Sequence, residues 1–403
     1  MNILFLTLFE LSTLEEGNLY TDLMKVFVKN NHNVHIISPT EKRRQQPTHL
    51  LEKDNYKILK LQIGNTQKTN MIEKGISMLT LESKYKKGIK DYFSEVKFDL
   101  VLYSTPPVTL KRAVEYVKKR DNAKTYLLLK DIFPQNAVDL GMMTKSGINS
   151  ILYRHFRNKE KRLYNISDYI GCMSPRNVDF ILRNNPEISP DIVEVCPNSI
   201  EPQIINKDQI KIKMIREKYS IPSDKTVFIY GGNLGKPQGI DFLIECLRAN
   251  KNNENVYFII AGSGTDFNKL RIFFDEEKPD NAQLFSQLPK LDYDILANSC
   301  DVGLIFLDKR FTIPNFPSRL LSYMQASMPV LAVTDVNTDI GETIENGEFG
   351  LWCESNDLLA FNQKVRQLCD SNIRKQMSLN SRKYLENNYT STHSYEIIMR
   401  HFR

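Results

Sequence analysis

The chain has 403 residues, 41% hydrophobic and 25% charged, with a formal net charge of +6. That length favours two domains over one core, and that composition excludes disorder. No run reaches the roughly 18–20 apolar residues of a membrane span, no cysteines form a C-x-x-C pair and no histidines form an H-E-x-x-H cluster, so free thiols and no protein-held metal are expected.

Asn2–Thr7 is an apolar run, typical of a central parallel strand buried on both faces. The run to Phe9 lacks a basic leader and meets Glu10, Glu15 and Glu16, which argues against a signal peptide and for a cytoplasmic protein. A polar loop through Gly17 leads to a helix over Tyr20–Lys29 and a strand over Asn33–Ser38, a βαβ opening that implies a right-handed parallel sheet. Residues 40–70 read as polar and irregular apart from a strand at Lys57–Ile63. Met71–Val96 follows as a basic helix. Strands at Asp99–Ser104, Lys124–Leu129, Tyr169–Met173 and Ile192–Val195 alternate with helices at Thr109–Arg120 and Ser150–Asn165.

Residues 199–223, with Pro202, Pro222 and a charged run, suit a linker. Alternation then restarts with strands at Thr226–Tyr230, Val256–Ala261, Gln283–Phe285, Asp301–Leu307, Pro329–Val333 and Gly350–Cys353. Helices are expected at Ile240–Arg248, Phe267–Phe274, Tyr293–Asn298 and Ser318–Gln325, then in a tail over Asp357–Cys369, Ile373–Asn387 and Ser394–Phe402. The fold class is therefore α/β with two Rossmann-like, doubly wound halves facing a central cleft. The boundaries are 1–200 and 201–385, with a C-terminal helix at 386–403 that packs back on the first half. Ligands of such sheets sit outside the carboxyl ends of the strands.

Three loops of the second half suit an anion. Gly231-Gly232-Asn233-Leu234-Gly235 breaks a strand and Gly239 opens a helix, so backbone N–H groups and a helix end can meet a phosphate. Gly262 and Gly264 in AGSG permit close approach to the backbone. Pro317-Ser318 looks like a helix start with Ser318 as N-cap. Arg319 then sits in the first turn, against the helix dipole, where a bound diphosphate would rationalise it. In the first half Lys130-Asp131 follows a strand, and either a salt bridge or a site facing the ligand accounts for it. Basic clusters at Lys84–Lys90 and Arg154–Arg162 fit either a solvated helix face or attraction to an anionic surface, and aromatics do not interleave as nucleic acid would require.

The stretches YGGNLGKPQGID at 230–241, AGSG at 261–264, LANSCDVGLIFL at 296–307 and FPSRLLSYMQASMPVLA at 316–332 resemble the donor domain of a GT-B glycosyltransferase of family 4. With DIFPQNAVDLGMM at 131–143 and CPNSIEP at 196–202, the chain is similar to the bacterial surface-polysaccharide branch that holds N-acetyl-L-fucosamine transferases of the WbuB type. The resemblance implies a retaining transferase that moves a sugar, an amino sugar in that branch, from a UDP-sugar to a lipid-diphosphate-linked saccharide at the inner membrane surface. It implies no metal or other cofactor and no nucleic acid. Gly232, Asn233, Lys236, Gln238, Gly262, Gly264, Leu288, Pro289, Ser318, Arg319 and Leu320 then fall on the donor side. Asp131, Lys130 and Asn136 become the catalytic candidates, and Gly17 and Asn198 face the acceptor.

The chain departs from the family pattern at Asn233 and Gln238, where many members carry a basic pair. It departs again at Pro314 and Ser322, which occupy the two acidic positions of E-x7-E. A UDP-sugar 2-epimerase of the same architecture and a non-catalytic saccharide-binding partner subunit remain as alternatives.

Overall fold

The computed structural model describes residues 1–66, 71–147, 150–204 and 208–402, the side chains at 71, 72 and 74–76 excepted. The chain divides into two compact units, Met1–Glu201 with Thr390–Arg403, and Pro202–Tyr389.

In the first unit the elements run β1 (Asn2–Leu6), α1 (Leu19–Lys29), β2 (Asn33–Glu41), β3 (His49–Lys53), β4 (Tyr56–Ile63), α2 (Met71–Tyr92) and β5 (Leu100–Ser104). They continue with α3 (Lys111–Asp121), β6 (Lys124–Leu129), α4 (Gln135–Asp139), α5 (Ser150–Ile166), β7 (Tyr169–Cys172), α6 (Pro175–Asn184) and β8 (Val193–Val195). The sheet order is β3-β4-β2-β1-β5-β6-β7-β8, parallel except for the antiparallel β3 edge. Ile3, Leu4, Phe5 and Leu6 are all fully buried, which is why β1 reads as an unbroken apolar run.

The second unit runs α7 (Gln209–Lys218), β9 (Thr226–Asn233), α8 (Ile240–Asn250), β10 (Val256–Ser263), α9 (Phe267–Glu277), β11 (Ala282–Phe285), α10 (Lys290–Asn298) and β12 (Val302–Phe306). It goes on with α11 (Arg319–Gln325), β13 (Val330–Thr334), α12 (Ile340–Asn346), β14 (Gly350–Glu354), α13 (Leu358–Leu368) and α14 (Ser371–Asn388). Its six strands are all parallel in the order β11-β10-β9-β12-β13-β14. The last helix, α15 (Ser391–Met399), returns to the first unit. There Ile398 and Met399 join the cluster of Phe5, Leu23 and Phe27, and Tyr395 Oη lies 3.0 Å from His32 Nε2.

The two α/β halves and the helical tail match the expected fold class. Three local expectations fail. Residues 40–70 hold β3, an edge strand that alternation could not reveal because its exposed residues are held by the ladder to β4 and not by burial. The expected linker at 199–223 contains α7, capped by Asp208 Oδ1 from the amides of Ile210 and Lys211 and anchored by buried Ile215; residues 205–207 lie outside the described residues. Strands β9 and β10 also run past Tyr230 and Ala261, because the glycines stay in the ladder, with Gly262 opposite Gly232 and Ser263 opposite Asn233.

Candidate functional site

The glycines of β9 and β10 meet each other at the carboxyl end of the second sheet. Gly232 has φ +134° and Gly262 φ +157°. A Cβ on Gly262 would lie 1.8 Å from the Gly232 carbonyl oxygen, and one on Gly264 2.3 Å from the Leu234 carbonyl. Leu234 N–H donates to Ser263 O at 2.9 Å, and Asp266 N–H donates to Leu234 O at 3.0 Å. Gly262 and Gly264 are therefore required by loop-on-loop packing, where the sequence suggested room for a ligand.

Past Leu234 the chain makes one tight turn, Lys236–Gln238, before α8. Gln238 Oε1 accepts from Asn233 Nδ2 at 3.0 Å and from Gly235 N–H at 3.2 Å. The two residues that replace a basic pair thus bond to each other and shape the loop. Lys236 is exposed and has no partner among the described residues. Helix α8 begins at Gly239 without a side-chain cap, so its first amides face the loop unpaired by any side chain.

Arg319 opens the seven-residue α11. Ser318 makes no capping hydrogen bond and holds a helical backbone, so the expected N-cap is absent. The Arg319 guanidinium lies 4.1 Å from the Tyr230 ring centroid, and a Cβ on Gly232 would approach its Nη2 to 3.0 Å. Its Nη1 is buried with no hydrogen-bond partner. Among the described residues no carboxylate pairs with it, whereas Arg310 is gripped by Asp308 at 2.8 and 2.7 Å. A half-buried cation without a counter-ion is costly, and a bound anion would relieve that cost.

Two further tyrosines, neither singled out as a site residue from the sequence, border the same spot. Tyr293 on α10 reaches under Gly231, where a Cβ would stand 1.7 Å from its hydroxyl. Tyr323 Oη lies 3.1 Å from the carbonyls of Ile229 and Leu304 and 3.4 Å from Gly231 N. Burial pushes the Tyr230 and Tyr323 phenols up and takes Tyr293 up to about 12, the Arg319 charge pulling the other way. Leu288 and exposed Pro289 precede α10, and Tyr293 N–H donates to Pro289 O at 2.9 Å. Leu320 is fully buried, so its backbone alone can face a ligand. Ser322 is exposed and Pro314 buried, so neither supplies the carboxylate that the family pattern has there.

In the first unit Asp131 follows β6, half-buried, and its two carboxylate oxygens accept from Asn136 Nδ2 at 2.8 and 3.0 Å. Thr105 Oγ1, another residue the sequence did not single out, accepts from the amides of Lys130 and Asp131 at 3.0 and 3.2 Å. Burial pushes the Asp131 carboxyl up to about 6, against the bonds from the Ile132 amide and Asn136. Lys130 turns away, donating Nζ to Cys196 O at 3.3 Å, and burial lowers its pKa. So Lys130 and Asp131 are not an ion pair. Asp131 is a carboxyl poised to exchange a proton near neutrality.

Asn198 is 6% exposed, with Nδ2 3.5 Å from Met173 Sδ and Oδ1 unpartnered. It lines one small cavity with Lys130, Tyr20 and Ser394. Gly17 ends a turn two residues before Leu19, which also lines that cavity. Among the described residues no three His, Cys, Asp or Glu side chains are placed to share a metal, and no helix is long and apolar enough to cross a membrane.

Residues 211–386 match the family model described as glycosyl transferases group 1. A probable glycosyltransferase of Pseudomonas aeruginosa, WbjE, is 25% identical over 300 residues, spanning 74% of this chain and 72% of that protein. Sucrose-phosphate synthase from Thermosynechococcus elongatus superposes with a TM-score of 0.75 at 13% identity, covering 100% of this chain and 98% of that one. HepE of Anabaena, solved in complex with UDP-glucose, gives a TM-score of 0.68 at 13% identity, covering 100% of this chain and 99% of that one. These comparisons show a group 1 glycosyltransferase domain over residues 211–386 and, over the whole chain, the fold of these solved structures.

Proposed function

We infer, from a chain whose residues 211–386 match a group 1 glycosyltransferase domain, that the second unit binds a UDP-sugar and that the protein is a retaining transferase. The observation that carries this is Arg319, a half-buried guanidinium against Gly232 with Nη1 unpartnered and, among the described residues, no carboxylate pairing with it. The donor diphosphate supplies the missing anion. The first amides of α8 share its charge, and exposed Lys236 adds a second cation, so no metal is needed to stabilise the leaving group. HepE, of the same fold, is solved with UDP-glucose, which supports a uridine donor. The donor sugar is an amino sugar of the N-acetylfucosamine kind, fitting a site without acids at Pro314 and Ser322.

The first unit takes the acceptor, a lipid-diphosphate-linked saccharide, with Asp131 as the group that receives or holds the acceptor proton. Helix α5 supports an acceptor in a membrane. Its one acid, Glu160, is buried against Arg157, while Ile151 and Leu152 are 67% and 51% exposed in the first turn, with exposed Arg154 near them in sequence and exposed Arg162 further along the helix. An exposed apolar turn on a helix that carries exposed cations fits an anionic lipid surface.

The test is product analysis with a panel of UDP-sugars, with and without lipid-linked acceptor. Transfer that requires both supports the proposal. Conversion of the UDP-sugar without acceptor would make the protein an epimerase, and binding without turnover would make it a partner subunit.

A further inference from the structure

Arg319 does not reach its place by helix position alone. An arginine at the first position of a seven-residue helix has full rotamer freedom and runs against the helix dipole. What restrains it is aromatic. The guanidinium carbon is 4.1 Å from the centroid of Tyr230, whose ring is fully buried and whose hydroxyl donates to Asn233 O at 2.6 Å. Tyr230 is the last residue of β9 before the glycines, so its ring is fixed by the sheet and by the loop carbonyl it bonds. Tyr293, from α10, fills the space below Gly231, and no glycine replacement there could keep it in place.

We propose that Tyr230, backed by Tyr293, is a positioning residue that holds the Arg319 guanidinium flat beneath Gly232 and so sets recognition of the donor diphosphate. Three features combine in this. The face of a neutral ring attracts a planar cation without neutralising it, as a carboxylate would. Nη1, buried and without a partner, leaves the guanidinium with hydrogen-bonding capacity unspent. Gly232, lacking a side chain, lets the cation lie against the loop backbone. Cation–π support at a desolvated site is worth about a factor of ten or more in binding.

The proposal rests on the second unit binding a UDP-sugar, and the experiment separates the two. Titration calorimetry of the full chain measures UDP, uridine and inorganic pyrophosphate against the parent, Tyr230→Phe, Tyr230→Leu, Arg319→Ala and Tyr230→Leu/Arg319→Ala. Expected is a loss of about tenfold in UDP and pyrophosphate affinity for Tyr230→Leu, with uridine unchanged and Tyr230→Phe close to the parent. The double variant should bind UDP no worse than Arg319→Ala. Equal losses for uridine and UDP, or losses that add in the double variant, would overturn the positioning role and leave the donor site standing. No UDP binding by the parent would overturn both. Should Tyr230→Leu fail to fold, Arg319→Lys carries the same test. A lysine keeps the charge but cannot lie flat on the ring, so UDP affinity should drop about as far, and undiminished affinity would overturn the proposal.

Discussion

Asp131 shows how much a single side chain can carry. Its folded pKa, about 6, lies above the ordinary value of 3.8. A carboxyl raised in this way adds stability below pH 3.8, and that stability disappears as pH climbs through about 6. Asp131→Asn should therefore match or exceed the parent in stability at pH 7, by up to about 2 kcal/mol once one Asn136 bond is lost, and trail it at pH 4. Turnover should fall by at least about a hundredfold, and the parent's turnover should rise with pH through about 6. Denaturant unfolding at four pH values and initial rates check both, and a fully active Asp131→Asn would remove this residue from the chemistry. Arg319 and Gly232 were legible in the sequence because each belongs to a contiguous motif. Tyr230, Tyr293 and Thr105 were not, since their meaning comes from contacts between elements far apart in the chain.

At the scale of elements, β9 and β10 act as a pair whose glycines interlock. Gly262→Ala would drive a Cβ into the Gly232 carbonyl, backbone against backbone, with no flexible atom to move. It should destabilise the protein by about 3 kcal/mol and weaken UDP binding with it, because the donor loop must shift. Gly141→Ala is the control: φ is +68° but nothing lies within 4 Å, so the backbone strain of about 1–2 kcal/mol is the whole effect and UDP binding is untouched. Equal stability losses in the two variants would contradict the interlock. Long buried strands were readable from apolar runs, such as Ile3–Leu6 and Val227–Tyr230, because both faces are covered. The edge strand β3 and the helix α7 were hidden, one because pairing and not burial defines it, the other because a single isoleucine anchors it. Where β9 ends was also misread, for a glycine breaks the apolar pattern without breaking the ladder.

For the molecule as a whole, two doubly wound halves were legible from the restart of strand–helix alternation after residue 223, and the return of α15 to the first unit completes that half with Ile398 and Met399. The basic first half, ambiguous as sequence, carries the proposed lipid-facing surface on α5, where Glu160 turns inward and Ile151 and Leu152 stay exposed. Ile151→Glu/Leu152→Glu should lower binding to vesicles of anionic lipid at least about fivefold, since each apolar side chain and the local positive potential act together. Sedimentation with vesicles of neutral lipid serves as baseline, and unchanged binding would dismiss α5 as the docking element. The central claim, that the glycine turn of β9 and Arg319 form a nucleoside-diphosphate site, is tested most directly by calorimetric titration of UDP into the full chain and into Arg319→Ala. Saturable binding by the parent and at least about tenfold weaker binding by the variant are predicted, the worth of a charge-assisted contact to phosphate. Absence of binding by the parent, or equal affinity in the two, would contradict it.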